Sequence, residues 1–260
     1  VGIALGAAFS GQRPMPEIQF SDFVWPAINQ LIGEAARTLY GTNGAVNVPM
    51  TVRIPYGGGI RGGLFHSQNV EAHFFHTPGL KVVTPSTPYD AKGLLKSAIR
   101  DNDPVVFLEH KKTYRLVRGE VPEEEYTLPM GVADIKRPGS DVTIVSYGLT
   151  LHYCLEAAEL AAADGTDAEV VDLRTLTPLD TQTILTSVEK TGKLLIVHED
   201  NMTGGVGAEV AAVVAGQAFD YLDAPIMRVC GPDVPTMPFA LNLEEAYMPG
   251  TEKISAALKK

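Results

Sequence analysis

The second half of the chain alternates short apolar runs with segments of helical length, and this alternation constrains its fold more than any other feature. The apolar runs predict strands at residues 142–147, 168–173, 194–198 and 226–230, and the longer segments predict helices at 151–163, 179–190, 206–215 and 254–260. Strands separated by helices pair in parallel, with the helices covering both faces of the sheet. This half therefore predicts a doubly wound α/β domain.

The first half follows the same rhythm less regularly. Strands are predicted at residues 15–20, 50–54, 81–83 and 105–108, and helices at 23–40 and at about 87–99. Ser21-Asp22 provides a natural N-cap for the first helix, and Pro88 suits the first turn of the second. The whole chain thus predicts an α/β protein with two doubly wound domains. Charges, prolines and glycines break the pattern near the middle, so we expect domains at 1–113 and 136–260 joined by a linker at 114–135.

Composition excludes several classes of partner. A net charge of −10 disfavours a nucleic-acid surface, because phosphate binding requires a clustered basic face. The longest apolar runs, such as residues 208–215, are too short to cross a bilayer. Cys154 and Cys230 are too few for a disulfide scaffold, so we expect two buried thiols in a reducing compartment. Neither nucleic acid nor a membrane is an expected partner.

The first eight residues are small and apolar and are not preceded by an initiator methionine. This composition is typical of the interior of a tightly packed helix, whereas the start of a helix usually carries a polar capping residue. We therefore expect Val1 to be an internal boundary of a longer protein that has lost its N-terminal segment.

Several motifs occur in a characteristic order. They are Pro16-Glu17-Ile18-Gln19-Phe20-Ser21-Asp22-Phe23, Pro55-Tyr56-Gly57-Gly58-Gly59, His66-Ser67-Gln68, His76-Thr77-Pro78-Gly79-Leu80, Pro85-Ser86-Thr87-Pro88-Tyr89-Asp90, Asp103-Pro104-Val105-Val106-Phe107-Leu108-Glu109, Val170-Val171-Asp172-Leu173-Arg174-Thr175 and Ala224-Pro225-Ile226. In this order and spacing the chain resembles, throughout its length, the beta subunit of the thiamine-diphosphate-dependent decarboxylating component of 2-oxo acid dehydrogenase complexes. The resemblance implies a thiamine-diphosphate pyrimidine-binding domain, truncated at its N-terminus, followed by a transketolase C-terminal-like domain.

The resemblance also implies a reaction and partners. The expected reaction is oxidative decarboxylation of a 2-oxo acid, with transfer of the acyl group to a lipoyl group. An alpha subunit, in a heterotetramer of two alpha and two beta chains, would supply the diphosphate and Mg2+ site. A lipoyl-bearing acyltransferase core would dock on the acidic surface of the second domain. The location would be the bacterial cytoplasm, or the mitochondrial matrix in a eukaryote.

The preferred substrate class follows from three of the motifs. The segments at residues 19–23, 64–68 and 114–116 resemble the branched-chain 2-oxoisovalerate type more than the pyruvate type. Two other functions remain open. One is a transketolase-like or acetoin-cleaving thiamine-diphosphate subunit on the same scaffold, and the other is a non-catalytic fragment or scaffolding subunit.

Gln19 and Phe23 are the candidate cofactor-binding residues. The resemblance implies that the Phe23 ring packs against the aminopyrimidine of the cofactor, where stacking contributes about 1 kcal/mol beyond burial. Gln19 ends a predicted strand, which is where α/β folds place ligand-binding groups, and its amide would hydrogen-bond the same ring. Without the motif, Phe23 is more typical of a core position than of a cofactor site, and a solvent-facing strand end is the alternative for Gln19.

His66 is the candidate catalytic residue. It follows a run of glycines that allows close approach of the backbone to a ligand, and histidine exchanges protons near neutral pH. The resemblance implies that His66 lines the active-site channel and assists acyl transfer to the lipoyl group. His73 and His76 lie nearby, but their spacing lacks the paired pattern of a zinc protease, so a catalytic metal is not expected.

One departure from the family puts catalysis by this chain alone in doubt. The resemblance implies an activating glutamate, in a Ser-Glu pair, just upstream of Val1. Glu17 belongs to a different motif and is not a substitute for it.

A structural potassium ion is a further implication of the resemblance. It would lie at the turn that follows residue 98, with oxygen ligands from Ala98, Asp101 and Asp103. A simple Asn-Asp turn without an ion is the alternative for these residues.

Overall fold

The computed structural model describes all 260 residues and contains two β-sheets surrounded by helices. The strands are β1 (Thr51–Tyr56), β2 (Lys81–Val83), β3 (Val105–His110), β4 (Asp134–Arg137), β5 (Val142–Ser146), β6 (Ala168–Asp172), β7 (Thr175–Thr177), β8 (Leu194–Asn201) and β9 (Met227–Gly231). The α-helices are α1 (Gly2–Phe9), α2 (Ala36–Gly41), α3 (Glu71–Phe75), α4 (Pro88–Arg100), α5 (Thr113–Leu116), α6 (Leu149–Ala163), α7 (Thr181–Thr191), α8 (Val206–Gln217), α9 (Leu241–Tyr247) and α10 (Thr251–Leu258). Short 3-10 turns lie at Ser21–Phe23, Trp25–Ala27, Gly63–Phe65 and Phe219–Tyr221, and a π-helix at Asn29–Ala35.

The two sheets are mainly parallel, which confirms the predicted α/β class. The first has the strand order β1-β3-β2-β7 and the second the order β4-β6-β5-β8-β9. The exceptions are β4, antiparallel to β6, and β7, antiparallel to β2. Because β7 comes from the second half of the chain yet joins the first sheet, the two halves are linked by backbone hydrogen bonds.

The apolar core is continuous across the two halves. Val52 and Val106 of the first sheet belong to the same buried cluster as Val145 and Val171 of the second. Every residue of β5 and of β6 is buried, as expected for parallel strands with helices on both faces. The near-continuous apolar runs that predicted these strands are therefore explained by two-sided burial.

The helix predicted at residues 23–40 is wrong in its first part and irregular in the rest. Two 3-10 turns precede the π-helix, and regular α-helix begins only at α2. Pro26 contributes to this, since it lacks an amide hydrogen and disfavours helical backbone in the preceding residue. Leu31 and Ala35 are buried nevertheless, so the apolar spacing identified the core-facing side but not the type of helix.

The strand predicted at residues 15–20 is an extended segment beside β1 and forms only one isolated bridge, between Glu17 and Arg53. The main-chain oxygens of Pro14 and Pro16 accept hydrogen bonds from the β1 amides, but neither proline has an amide hydrogen to donate in return. The prolines thus shorten what would otherwise be an edge strand.

Neither cysteine forms a disulfide. Cys154 is buried, as predicted, and burial raises the pKa of its thiol to about 12. Cys230 is only partly buried, which corrects the prediction for that residue, and desolvation raises its pKa to about 11. None of the helices combines the length and the apolar character needed to cross a membrane.

Asp172 ends β6 with its carboxyl group buried at the boundary between the two halves. The Ser86 hydroxyl donates to Asp172 Oδ1 at 2.9 Å, while Oδ2 has no hydrogen-bond partner. Burial raises the pKa of Asp172 to about 7. The folded protein therefore favours the protonated form of this carboxyl group, whereas the unfolded chain releases the proton near the ordinary pKa of 3.8.

Substituting Asp172→Asn is expected to change how stability depends on pH. Because the folded pKa is raised, the contribution of Asp172 is complete below the unfolded pKa and is lost as the pH rises towards about 7, by up to about 1.4 kcal/mol per pH unit. The free energy of unfolding of the unmodified protein, relative to Asp172→Asn, should fall by about 2 kcal/mol between about pH 5 and about pH 7. Urea unfolding measures it, with exposed Asp220→Asn as the control. A difference that stays constant with pH would contradict the assignment.

Candidate active site

His66 and Phe23, predicted from separate motifs, lie together in one cluster of aromatic rings. The His66 ring centroid is 5.4 Å from that of Phe23 and 4.6 Å from that of Phe20, in edge-to-face geometry. Phe20 and Phe23 are 6.2 Å apart, also edge-to-face. We call Phe20, Phe23 and His66 the ring cluster. Phe23 is 45% exposed, so much of its ring remains accessible to a ligand.

Hydrogen bonds join the turn that carries Phe23 to the motif that carries His66. The Ser21 hydroxyl donates to the main-chain oxygen of Gln68 at 2.6 Å, and the Gln68 amide donates to Asp22 Oδ2 at 3.4 Å. Ser21 therefore does not cap a helix as predicted, because its hydroxyl bridges the two motifs instead. Burial raises the pKa of Asp22, although these donors and the nearby His66 oppose the shift.

Gln19 lies on the extended segment that leads into this turn, and its side chain is exposed. The segment is fixed beside β1, since the Ile18 amide donates to the main-chain oxygen of Arg53 at 2.9 Å. The structure thus leaves the Gln19 amide accessible near the ring cluster. Its predicted hydrogen bond to a cofactor stays a prediction.

The glycine loop (residues 57–63) precedes His66 and packs closely against other parts of the chain. A methyl group at Gly57, where φ is +89°, would lie 2.1 Å from the His110 ring. At Gly58 it would lie 2.4 Å from the Met237 side chain. Glycine is needed at Gly57, where the positive φ and the buried His110 ring both oppose a side chain, whereas at Gly58 the close contact is the flexible end of Met237.

Two buried glutamates from the second half hold the glycine loop. Glu199, at the end of β8, accepts a hydrogen bond from the Gly58 amide and pairs with His110 Nε2 at 2.7 Å. Glu244, in α9, accepts from the amides of Gly59 at 2.9 Å and Arg61 at 3.1 Å. Both glutamates are at most 3% exposed. Each carboxylate is therefore compensated by donors rather than by water.

The charge state of Glu199 differs from that of its buried neighbours. Burial raises its pKa, but the adjacent His110 and the Gly58 amide outweigh this, and the net pKa lies below the ordinary value. The pKa values of Glu71 and Asp200 are raised, mainly by burial. Glu71 accepts a hydrogen bond from the Tyr147 hydroxyl at 3.0 Å. Of Glu199, Glu71 and Asp200, only Glu199 has its negative charge favoured by its surroundings.

Sequence reasoning missed Glu199, His110 and Glu244. A signal existed for the first two, because each is a polar residue at the carboxyl end of a parallel strand, where α/β folds place functional groups. Glu244 had no comparable signal, since its partners are backbone amides in the other half of the chain.

A second polar group lies beside the ring cluster. Lys111 Nζ is 5.0 Å from the ring centroid of Phe20 and 5.2 Å from that of Tyr114. The Tyr114 hydroxyl donates to Glu109, which also receives a forked pair of hydrogen bonds from Arg53 at 2.5 and 2.8 Å. Arg53, Glu109 and Tyr114 line a cavity of about 350 Å³ that does not include the ring cluster.

The turn predicted to bind potassium already has cationic partners. Lys81 Nζ lies 2.7 Å from Asp101 Oδ2 and 3.0 Å from Asp103 Oδ2. Arg13 donates to the main-chain oxygen of Asp101 at 2.6 Å, and the Ala98 oxygen accepts from the Asp101 amide. In this arrangement the residues do not fit a potassium ion, which would have to displace the Lys81 ammonium group. Potassium binding stays an untested prediction.

Two family models match the chain in the order that its fold indicates. The transketolase pyrimidine binding domain matches residues 1–117, and the transketolase C-terminal domain matches residues 131–254. The 2-oxoisovalerate dehydrogenase subunit beta of Bacillus subtilis (strain 168) is 52% identical over 259 residues, which are 100% of this chain and 79% of that protein. The chain belongs to the family of 2-oxo acid dehydrogenase beta subunits. The predicted resemblance is thereby confirmed.

Other members of this beta-subunit family are almost as similar. The pyruvate dehydrogenase E1 component subunit beta of the same organism is 48% identical over 259 residues, with the same coverage of both chains. The acetoin:2,6-dichlorophenolindophenol oxidoreductase subunit beta of Cupriavidus necator is 49% identical over 260 residues, covering 100% of this chain and 76% of that protein. Identities this close do not separate the substrate classes within the family.

A solved structure supports the fold of this beta subunit. A split gene transketolase, described as an inactive beta4 tetramer, superposes with a TM-score of 0.79 and 25% sequence identity. The match covers 99% of this chain and 78% of that one. Both predicted α/β domains are confirmed by this match together with the family models.

Proposed function

We propose that this beta subunit acts with an alpha partner to catalyse the oxidative decarboxylation of a 2-oxo acid, with transfer of the acyl group to a lipoyl group. The observation that carries the proposal is the ring cluster in a pyrimidine-binding domain. A half-exposed phenylalanine lies there beside an exposed histidine, and hydrogen bonds hold both segments.

The residues present fit the pyrimidine half of thiamine diphosphate. When bound, the cofactor supplies a carbon nucleophile for the 2-oxo group and accepts the electrons that the substrate's carboxylate leaves behind when it departs as carbon dioxide. The accessible Phe23 ring offers a flat apolar surface for a heteroaromatic ring, and the exposed Gln19 amide offers both a donor and an acceptor. The diphosphate and Mg2+ would be held by the alpha partner.

His66 would move the proton that acyl transfer requires. Opening of the lipoyl disulfide forms a carbon–sulfur bond at one sulfur atom and releases the other as a thiolate, which takes up a proton. An exposed histidine beside the cofactor position can donate that proton at neutral pH. The ring cluster orients the imidazole through edge-to-face contacts with Phe20 and Phe23.

The surface around His66 suits protein partners. Leu64 is 53% exposed and Phe65 is 66% exposed, and both immediately precede His66. Adjacent exposed apolar side chains commonly mark an interaction site. We place the alpha partner here, in a heterotetramer of two alpha and two beta chains. The net charge of −10 would favour docking of a basic region of the acyltransferase core. The bacterial relatives favour a cytoplasmic location.

Branched-chain 2-oxo acids are the substrates we favour. The motifs around Gln19 and His66 support this choice, and a 2-oxoisovalerate dehydrogenase subunit beta is among the similar relatives, at 52% identity. An acetoin-cleaving subunit is the second candidate, because a relative of that kind is 49% identical.

A substrate comparison tests this proposal. The full protein, assembled with its alpha subunit, Mg2+ and thiamine diphosphate, is assayed with 2-oxoisovalerate, pyruvate and acetoin and an artificial electron acceptor. We expect kcat/KM to be about tenfold higher for 2-oxoisovalerate than for pyruvate, the discrimination that a pocket for extra methyl groups provides. Preferential turnover of acetoin would select the second candidate. An assembled complex that turns over none of the three would indicate a scaffolding subunit.

A further inference from the structure

The loop that precedes His66 is fixed from both of its ends by the second half of the chain. At its start, Glu199 and Glu244 accept hydrogen bonds from the amides of residues 58, 59 and 61. At its end, Gln68 Nε2 donates to the main-chain oxygen of Gly63 at 3.1 Å, and the Met237 amide donates to Gln68 Oε1 at 3.1 Å. The backbone leading to His66 therefore depends on residues far away in sequence.

Glu244 contacts the part of the loop whose backbone is in the left-handed conformation. A single oxygen, Oε1, receives both the Gly59 and the Arg61 amides, so the carboxylate closes the turn between them. Gly59 has φ of +75° and Arg61 has φ of +57°, a left-handed conformation that is strained in a residue other than glycine. Such strain persists only where surrounding contacts hold it. The buried carboxylate of Glu244 is that contact here.

Glu244 does not belong to the ring cluster, so its effect on chemistry has to pass through the loop. Its partners, Gly59 and Arg61, lie in the same short segment as Gly63, where a methyl group would lie 3.1 Å from the Phe239 side chain. Phe239 and Glu244 thus both lie against the loop and come from one region of the second half. Movement of this support would shift the backbone from which His66 projects.

We propose that Glu244 is a positioning residue that holds the glycine loop, and through it His66, in the geometry required for acyl transfer to the lipoyl group. This inference rests on the function proposed above for His66. Decarboxylation with an artificial acceptor bypasses the lipoyl step, so it should be insensitive to Glu244. Acyl transfer should depend on it, because a displacement of about 1 Å in a reacting group costs up to about 100-fold in rate.

The test compares Glu244→Ala and Glu244→Gln with Glu245→Gln, an exposed neighbour on the same helix. Each variant is assembled with the alpha subunit and assayed for decarboxylation with the artificial acceptor and for acylation of a lipoyl domain. For Glu244→Ala we expect kcat for acylation to fall about tenfold or more, with KM for the lipoyl domain and the decarboxylation rate nearly unchanged. Glu244→Gln, which keeps an acceptor oxygen, should recover most of the loss, and Glu245→Gln should behave as the unmodified protein.

Hydrogen exchange of the loop amides separates failure of this inference from failure of the proposed function. Exchange at residues 57–66 should rise in Glu244→Ala and not in the other two variants. Equal loss of decarboxylation and acylation in Glu244→Ala would show that Glu244 has a merely structural role. Unchanged acylation would show that Glu244 does not position His66. Either result overturns the inference. If the unmodified complex decarboxylates no 2-oxo acid, the proposed function fails. If hydrogen exchange in Glu244→Ala were also unaltered, the claim that Glu244 holds the loop would be rejected as well.

Discussion

Replacing His66 with alanine is expected to slow acyl transfer to the lipoyl group by about 10²–10⁴-fold, the contribution typical of a positioned acid or base. Removal of the imidazole leaves no histidine in the ring cluster to protonate the departing sulfur atom. Decarboxylation measured with an artificial acceptor does not involve that sulfur atom. The decarboxylation rate should therefore stay within about threefold of the unmodified rate. A loss of that size would come from the lost packing of the imidazole against Phe20 and Phe23.

Two assays on one preparation measure this difference. The assembled complex is assayed for carbon dioxide release with an artificial acceptor and for acylation of an isolated lipoyl domain. His76→Ala is the matched control, since His76 is also exposed and follows α3 rather than the glycine loop. A His66→Ala complex that acylates the lipoyl domain at the normal rate would remove His66 from the proposed mechanism.

Replacing His110 with alanine is expected to lower the free energy of unfolding by about 3–5 kcal/mol, because it removes the imidazole that pairs with the buried Glu199 carboxylate and leaves that charge without its partner. His110 is 1% exposed and lies 2.7 Å from the Glu199 carboxylate. Of the donors to Glu199, only the Gly58 amide and the more distant Asn69 amide would remain. Loss of the ring, which packs closely against Gly57, would also leave a cavity beside the loop.

Urea unfolding, followed by the fluorescence of the single tryptophan and by circular dichroism, measures the effect. A second variant, His110→Ala with Glu199→Gln, should recover part of the loss because no buried charge remains. The sign of the pH dependence follows from Glu199, whose pKa is held below its ordinary value of 4.5. Its contribution is present above that value and is lost as the pH falls through the folded pKa. A stability loss that is the same in strong acid as at neutral pH would contradict the role assigned to the Glu199 carboxylate.

The sequence predicted the elements whose pattern depends only on burial. Strands β5 and β6 are buried on both faces and are mainly apolar, with a few buried polar residues among them. Helices α6 to α8 follow between strands at their expected positions. Sequence reasoning failed where a distant partner decides the structure. The short β7 has too few residues for a periodic signal, and it becomes a strand by pairing with β2 across the two halves. Segment 23–40 failed because Pro26 and the π-helical turns interrupt a helical apolar pattern.

The candidate site divides in the same way. Phe23 and His66 were identified through the ordered motifs, and the structure brings their rings to 5.4 Å, although neither spacing nor composition predicted that contact. Glu244 was missed because its partners are backbone amides, which carry no signature in the sequence. Glu199 was missed although it lies near the carboxyl end of a parallel strand, because the residues it contacts lie far away in the chain. The ordered motifs thus indicated two side chains of the candidate site but not the residues that hold them in place.

Binding of thiamine diphosphate to the assembled complex tests most directly the claim that this chain supplies the pyrimidine half of the cofactor site. Titration calorimetry would compare the unmodified protein with Phe23→Ala, and with Tyr40→Ala as a control, because Tyr40 is 93% exposed on α2. Loss of stacking worth about 1–1.5 kcal/mol should raise the Kd of Phe23→Ala about tenfold and leave Tyr40→Ala unchanged. A Phe23→Ala complex that binds the cofactor as tightly as the unmodified one would contradict the account.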